Sequence, residues 1–273
     1  MHFNTLKEKC EHLRAITDYR LTPNSYVIAM LDGHCFSRLI KKNYKLPFDA
    51  KFMHYMDETA QYLLQNIQGA KFAYVQSDEI SILITDFDTP ETDSCFGFRL
   101  CKMQSLFASM AAAKFNQLVI ADLVDEKAES ILYDLPFGSL RDFVKDITPA
   151  SFDCKVWTVP SYNEAYGWFL YRQHDCTRNS KQQAAQTYFS HKSLLKLNAD
   201  EQIEKLKKEK GIDWNEYTNG EKYGRIIYRV PTICTRDVNG EELSFIRNTW
   251  TAIGSEPFDN ENNIIRNLIP ERQ

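Results

Sequence analysis

The sequence predicts an α+β fold: a split βαβ (ferredoxin-like) antiparallel sheet with helices on one face, followed by a C-terminal helical and strand extension. Three observations predict it. A short apolar run, Tyr26 to Leu31, precedes a long segment whose apolar residues recur at helical spacing. Two more apolar runs, 71–76 and 80–85, are joined at Ser77-Asp78-Glu79. A second helical segment and a further strand, Phe152–Val159, complete the order β, α, β, β, α, β.

The first run is continuously apolar, as a buried strand is, and ends at Asp32-Gly33. From Asp49 to Gln68, the residues Phe52, Met53, Met56, Ala60, Leu63, Leu64 and Ile67 follow one helix face, and Gly69 stops it. Phe98 to Leu118 is helical again, with an alanine-rich middle that permits close packing. The insert at 119–151 contains Pro136, Gly138 and Pro149 and reads as loop plus short elements. Tyr162–Leu195 and Asp200–Lys210 read as helices, and 222–234 and Leu243–Thr251 as strands. The expected division is a core at 1–150 and a C-terminal part at 151–273 that completes the sheet.

The chain has 273 residues, 43% of them hydrophobic and 13% aromatic, enough for a packed core and far from a disordered composition. No uninterrupted apolar run approaches the ~18 residues of a membrane span, and the charged start MHFNTLKEKCEHLR lacks the apolar stretch of a secretory leader. The expectation is a cytoplasmic protein with no membrane partner. Seven cysteines without a CxxC pair point to reduced thiols and away from a disulfide framework or a zinc ribbon. The net charge of −4 gives no global signal for nucleic acid, so any RNA contact must be local. Arg38, Lys41, Lys42, Lys45 and Lys51 form one basic patch; alone, such a patch reads first as a solvated face.

The acids Asp78 and Glu79 interrupt two apolar runs, and two readings are open. Ser-Asp is ordinary turn chemistry. In a split βαβ sheet, however, the first strand lies beside the third, so Asp32 and Asp78 can meet at one sheet end. Two carboxylates that close repel unless a cation or proton intervenes. A hard divalent ion, chiefly Mg²⁺, binds such a pair together with substrate phosphates. Gly33 suits close approach by a carbonyl or phosphate.

The stretches LDGHCFSR (31–38), YVQSDEISI (74–82) and YRQHDCTRNS (171–180) together resemble the tRNA-His guanylyltransferase-like family of 3′–5′ RNA polymerases. The resemblance runs from about Leu6 to Tyr217, with the three motifs in the family's order. It implies a polymerase-palm-like catalytic core with two Mg²⁺ ions, and ATP and GTP as substrates. Asp32 and Asp78 would be the metal ligands, the Gly33 carbonyl a third contact, and Glu79 a supporting acid. It further implies a homotetramer. At a strand end, the backbone amides of Gly33, His34, Cys35 and Phe36 could cradle a nucleotide's phosphates, with Ser77 and Lys45 as further nucleotide contacts.

Arg99, Lys102, Ser105 and Ser109 share about a third of one helix circumference beside an apolar stripe. They read either as a phosphate grip or as the solvated edge of an amphipathic helix; the resemblance matches Arg99 and Lys102 to a triphosphate-binding helix. Arg172, Asn179, His191 and Lys192 are candidate RNA contacts. Asp175 is either another or a structural partner of Arg172, three residues earlier. Where the family has basic residues before and after its Asp-Gly, this chain has Met30 and His34. Thr177-Arg178-Asn179-Ser180 stands where dedicated tRNA-His enzymes carry an HINN-type motif. The composition therefore resembles the guanylyltransferase-like proteins that repair 5′-truncated RNAs.

The resulting expectation is a metal-dependent nucleotidyltransferase that extends the 5′ end of tRNA or tRNA-like RNA after ATP activates the 5′-phosphate. A palm-fold nucleotide cyclase and a non-catalytic RNA-binding protein are the alternatives.

Overall fold

β1 (Tyr26–Gly33) is the strand around which the chain is arranged. A computed structural model describes residues 3–133, 148–238, 241–260 and 263–272. Before β1 comes α1 (Leu6–Ala15), closed by a Thr5–Glu8 capping box. After it come α2 (Phe36–Asn43), α3 (Ala50–Asn66), β2 (Ala70–Gln76), β3 (Glu79–Ile84), α4 (Leu100–Tyr133) and β4 (Phe152–Val159). The C-terminal part adds α5 (Tyr162–Tyr188), the short α6 (His191–Leu194), α7 (Ala199–Lys210), α8 (Asn219–Tyr223), β5 (Arg225–Val238), β6 (Glu241–Gly254) and α9 (Ile264–Leu268).

The six strands lie in the order β4-β1-β3-β2-β5-β6, every neighbouring pair antiparallel. The first four make the split βαβ unit, and β5 and β6 extend it beyond β2. Side chains alternate between faces with period two. Val27, Ala29, Leu31, Ile80 and Ile82 face one core with Met56, Leu63, Met103 and Phe107 from α3 and α4. Tyr26, Ile28, Phe72, Tyr74 and Leu83 face a second core with Phe169 of α5 and Ile265 of α9. Both helices of the split unit thus cover one face, and the C-terminal part covers the other. Full burial of each large side chain contributes about 1.5–3 kcal/mol, so both cores hold the sheet.

Several elements differ from the sequence reading. α4 does not stop at Leu118 but continues to Tyr133, because no glycine or proline interrupts it before Pro136. Asp122 on this extension accepts from the Tyr55 hydroxyl at 2.7 Å and pairs with Lys51 at 3.1 Å. The rest of the insert, 134–147, lies outside the described residues. By length and composition Leu100–Asp125 could cross a membrane, with mean hydropathy 1.2. Its Met103, Phe107, Ala111 and Phe115 stripe is packed on the sheet. The expected helix 162–195 breaks after Tyr188, where Phe189 turns extended and packs toward Leu206 and Trp214. The tail IIRNLIPERQ packs on its own chain: Ile265 and Ile269 are buried, and the Tyr26 hydroxyl donates to the Pro270 carbonyl at 2.8 Å.

Candidate active site

The site begins where β1 ends. Asp32 lies directly opposite Glu79 on β3 and opposite Asp153 on β4, so the three side chains leave one face of the sheet side by side. Asp78 comes from the β2–β3 turn, whose two residues are Ser77 and Asp78. Ser77 holds φ 45°, a conformation disfavoured for a residue with a side chain. The Gly33 amide donates to the Asp78 carbonyl at 3.1 Å, which fastens the turn to the end of β1. Two residues 46 positions apart in sequence are thereby held at one sheet end.

Their electrostatics are unfavourable without a partner. Burial, with the Asp153 charge, raises the Asp32 carboxyl above the usual range, against Lys155 and Arg172. Burial pushes Asp78 up to about 6, with Asp32 and Glu79 adding repulsion. Glu79 is treated differently. Arg172 of α5 donates to it through Nε at 2.8 Å and Nη2 at 2.5 Å, a two-pronged pair shielded from water. Arg172 also meets Asp175 at 3.2 Å and lies near the rings of Trp168 and Tyr171.

Asp32, Ser77 and Asp78 open into a cleft of about 440 Å³ over the hairpin tip, between α5 on one side and α2 and α3 on the other. Lys45, Phe48, Asn179 and Gln183 also line it. Gln183 donates to the Pro47 carbonyl at 2.6 Å, and the Lys45 amide donates to Asp49 at 2.9 Å, so the loop carrying Lys45 is tied to both walls. Among the described residues no three His, Cys, Asp or Glu side chains gather as a metal-binding group. The donor set that fits a cation here is two carboxylates with a backbone carbonyl, all oxygen, which suits a hard ion.

Other predicted residues fall elsewhere. The Gly33 and His34 amides do not form an open phosphate cradle, because they donate to the carbonyls of Asp78 and Ser151. Cys35 and the first turn of α2, where no side chain caps the helix, keep their amides. Gly33 is required by packing: a Cβ there would collide with the Phe36 ring. Phe36 itself is a core residue, its ring 5.3 Å from Phe115 and 5.0 Å from Phe152, and so is buried away from any ligand. His34 and Cys35 line a separate cavity of about 630 Å³ with Arg38, Lys42, Tyr44 and Tyr55.

Arg99, Lys102, Ser105 and Ser109 do not reach the cleft. Arg99 precedes α4 and donates to Asp18 at 2.8 Å. Lys102 stands 4.8 Å from the Phe96 ring, and the Ser105 and Ser109 hydroxyls donate to carbonyls one turn back. α4 starts at the opposite end of the sheet and reaches the Asp32 end only at Phe115 and Asn116, where Asn116 holds Ala150. At 1.5 Å per residue that is roughly 20 Å away. His191 and Lys192 are exposed on α6, outside the cleft. Of the RNA candidates only Arg172 and Asn179 line it, and the Arg172 guanidinium is occupied by Glu79 and Asp175. Asp175 is accordingly its structural partner.

Sequence reasoning missed Asp153, Gln183 and Arg225. Asp153 was within reach, since the topology puts the fourth strand beside the first and Asp153 faces Asp32. No sequence signal marked Gln183 or Arg225.

Known proteins share this sequence pattern and fold. The sequence profile described as tRNAHis guanylyltransferase matches residues 7–160. A probable tRNA(His) guanylyltransferase of Bos taurus is 27% identical over 179 residues, 64% of this chain and 51% of that protein, so the chain spans about half that relative's length. The solved structure of a bacterial tRNA(His) guanylyltransferase-like protein in complex with ATP superposes with a TM-score of 0.79 at 30% identity, covering 97% of this chain and 99% of that one. Another such structure, in complex with GTP, gives 0.73 at 27% identity, covering 97% and 98%. A palm-like sheet, its paired carboxylates and a profile match over more than half the chain lead to one assignment: the chain belongs to the tRNAHis guanylyltransferase family.

Proposed function

We propose that this nucleotidyltransferase works in the 3′–5′ direction, adding nucleotides to the 5′ end of a tRNA or tRNA-like RNA after ATP activates the 5′-monophosphate. The observation that carries the reading is the juxtaposition of Asp32, at the end of β1, and Asp78, in the β2–β3 turn, at the mouth of a cleft with a cationic lysine. Burial raises both carboxyls, with Asp153 repelling Asp32 and with Asp32 and Glu79 repelling Asp78, the condition a divalent cation relieves. Asp32, Asp78 and the Gly33 carbonyl would hold Mg²⁺, which when bound neutralises phosphate charge and acidifies an attacking hydroxyl.

The chain's own groups do the rest by positioning. Lys45 supplies a point charge for a triphosphate, and Asn179 and Gln183 present neutral amides along the opposite wall. Arg172 holds the Glu79 carboxylate through two hydrogen bonds, so Glu79 supports Asp32 from its flank. The incoming 3′-hydroxyl attacks the activated 5′-phosphoryl group, and pyrophosphate or AMP departs. No covalent enzyme intermediate is needed, because phosphoryl transfer asks mainly for alignment and charge neutralisation. The bacterial relatives solved with ATP and with GTP support nucleotide triphosphates as the cleft's ligands.

The test is a 5′-monophosphorylated tRNA lacking its first nucleotide, incubated with Mg²⁺, ATP and all four NTPs and followed on a gel. Extension at the 5′ end, lost in Asp32→Ala and Asp78→Ala, is expected. Full activity in either variant refutes the assignment. Cytoplasmic residence and a homotetramer belong to the same proposal. The β5–β6 hairpin beyond Arg229 leaves Ile233 and Ile246 more than 70% exposed, apolar surface that a second copy would cover. Light scattering that returns a monomer removes the tetramer.

A further inference from the structure

Arg225 is the one residue in the cleft that combines near-complete burial with an unmet donor. It is 7% exposed, and its Nε donates to Asp57 of α3 at 2.6 Å. Its Nη2 is buried and finds no acceptor among the described residues. Buried donors almost always have partners, because leaving one unpaired carries the full cost of removing it from water. The other two buried unpaired side-chain atoms, Asp86 Oδ1 and Gln202 Oε1, lie outside this cleft. Arg225 lines it.

The guanidinium is also held rigidly. Asp57 fixes one edge, and α8 presses on the aliphatic stem, where a Cβ at Gly220 would lie 3.2 Å from Arg225 Cγ. Arg225 pairs with Val75 on β2, three strand steps from Asp32 in the order β1-β3-β2-β5. At ~4.8 Å per step the two positions are roughly 14 Å apart. Phe48, Phe52 and Met53 also line the cleft, an apolar wall suited to the face of a nucleobase. A nucleoside triphosphate with its phosphates at Asp32 and Asp78 therefore presents its base, not its phosphates, to Arg225.

We propose that Arg225 reads the base in this cleft. Its free Nη2 donates to the carbonyl oxygen that guanine, hypoxanthine or uracil carries where adenine or cytosine carries an amino group. The amino group is itself a donor and leaves Nη2 unpaired. This rests on the cleft being the nucleotide site proposed above.

The full chain, with Mg²⁺, is titrated with GTP, ITP, UTP, ATP and CTP. ITP keeps the guanine O6 and lacks its amino group, which isolates the carbonyl. The variants are Arg225→Met and the double variant Asp57→Asn with Arg225→Met, in which no lone Asp57 charge is left buried; thermal melts establish that each is folded. Wild type should bind GTP and ITP roughly tenfold more tightly than ATP, and UTP more tightly than CTP, as expected for a buried donor matched to an acceptor. In the folded variants the preference should fall to within about threefold, through weaker GTP and ITP binding with ATP unchanged. Equal loss for every nucleotide overturns the proposal and moves the contact to phosphate. A preference that survives in a folded variant, or is absent in wild type, also overturns it. Wild type that binds no nucleotide refutes the underlying reading of the cleft, a result no other outcome resembles.

Discussion

The two ends of the central sheet treat charge in opposite ways. At the Asp32 end the Asp32 and Asp78 carboxylates are drawn into the protein among like charges, while Glu79 beside them is paired with Arg172. At the far end Arg99 meets Asp18 and Lys71 meets Asp88, pair by pair and partly exposed to solvent. The first arrangement costs stability that a bound cation would return. The second asks for nothing. The far end also buries one acid, Asp86, but alone and held by the Asn24 amide and the Ser94 hydroxyl, so the mark of the site is several like charges buried together, and not the density of charge along the sequence.

The largest break in this comparison comes from removing the Arg172–Glu79 pair at the Asp32 end. Arg172→Ala leaves Glu79, 7% exposed, as a buried carboxylate with no partner. Loss of one member of such a pair destabilises by about 3–5 kcal/mol. Urea unfolding should show that loss, and the double variant Glu79→Gln with Arg172→Met should recover most of it. If the single variant unfolds at the wild-type midpoint, the pair does not hold α5 to the sheet.

Asp78 sharpens the contrast because its effect has the other sign. Its folded carboxyl is raised from the ordinary 3.8 to about 6, so between those values the native state binds the extra proton. Stability consequently falls as pH rises through that window and stays low above it. Asp78→Asn removes the burdened charge and should stabilise the metal-free protein by roughly 1–3 kcal/mol at neutral pH, with the gain vanishing below about pH 4. Melting curves against pH check it. Mg²⁺ should raise the wild-type melting temperature and leave that of Asp78→Asn nearly unchanged. A variant less stable than wild type at neutral pH without Mg²⁺ contradicts the electrostatic account.

The legibility of this molecule followed the range of each signal. The split βαβ order and the meeting of Asp32 with Asp78 could be read because apolar period and strand order are carried by many residues at once. The far-end placement of Arg99 and Lys102 could not. Helical spacing tells which residues share a face but not which end of the sheet the helix starts from. Phe36 was expected among the nucleotide contacts after β1, yet it anchors an aromatic cluster drawn from α3, α4 and β4. Arg225 was silent because its meaning comes from Asp57, 168 positions away, and from an acceptor the chain does not provide.

The smallest expected effect completes the comparison. Arg99→Ala deletes an ion pair whose side chains are 45% and 29% exposed. Asp18 keeps a second cation, Arg20, at 3.8 Å, so the carboxylate is not stranded. Exposed pairs of this kind gain little and are screened by salt. The melting temperature should drop only marginally in low salt and match wild type in high salt. The Mg²⁺-dependent rise in melting temperature, which reports the other end of the sheet, should be unchanged. A large salt-independent loss would mean that Arg99 holds structure by something other than its charge. A lost Mg²⁺ response would couple the two ends of the sheet through α4, which runs from one to the other with its Met103–Phe115 stripe buried.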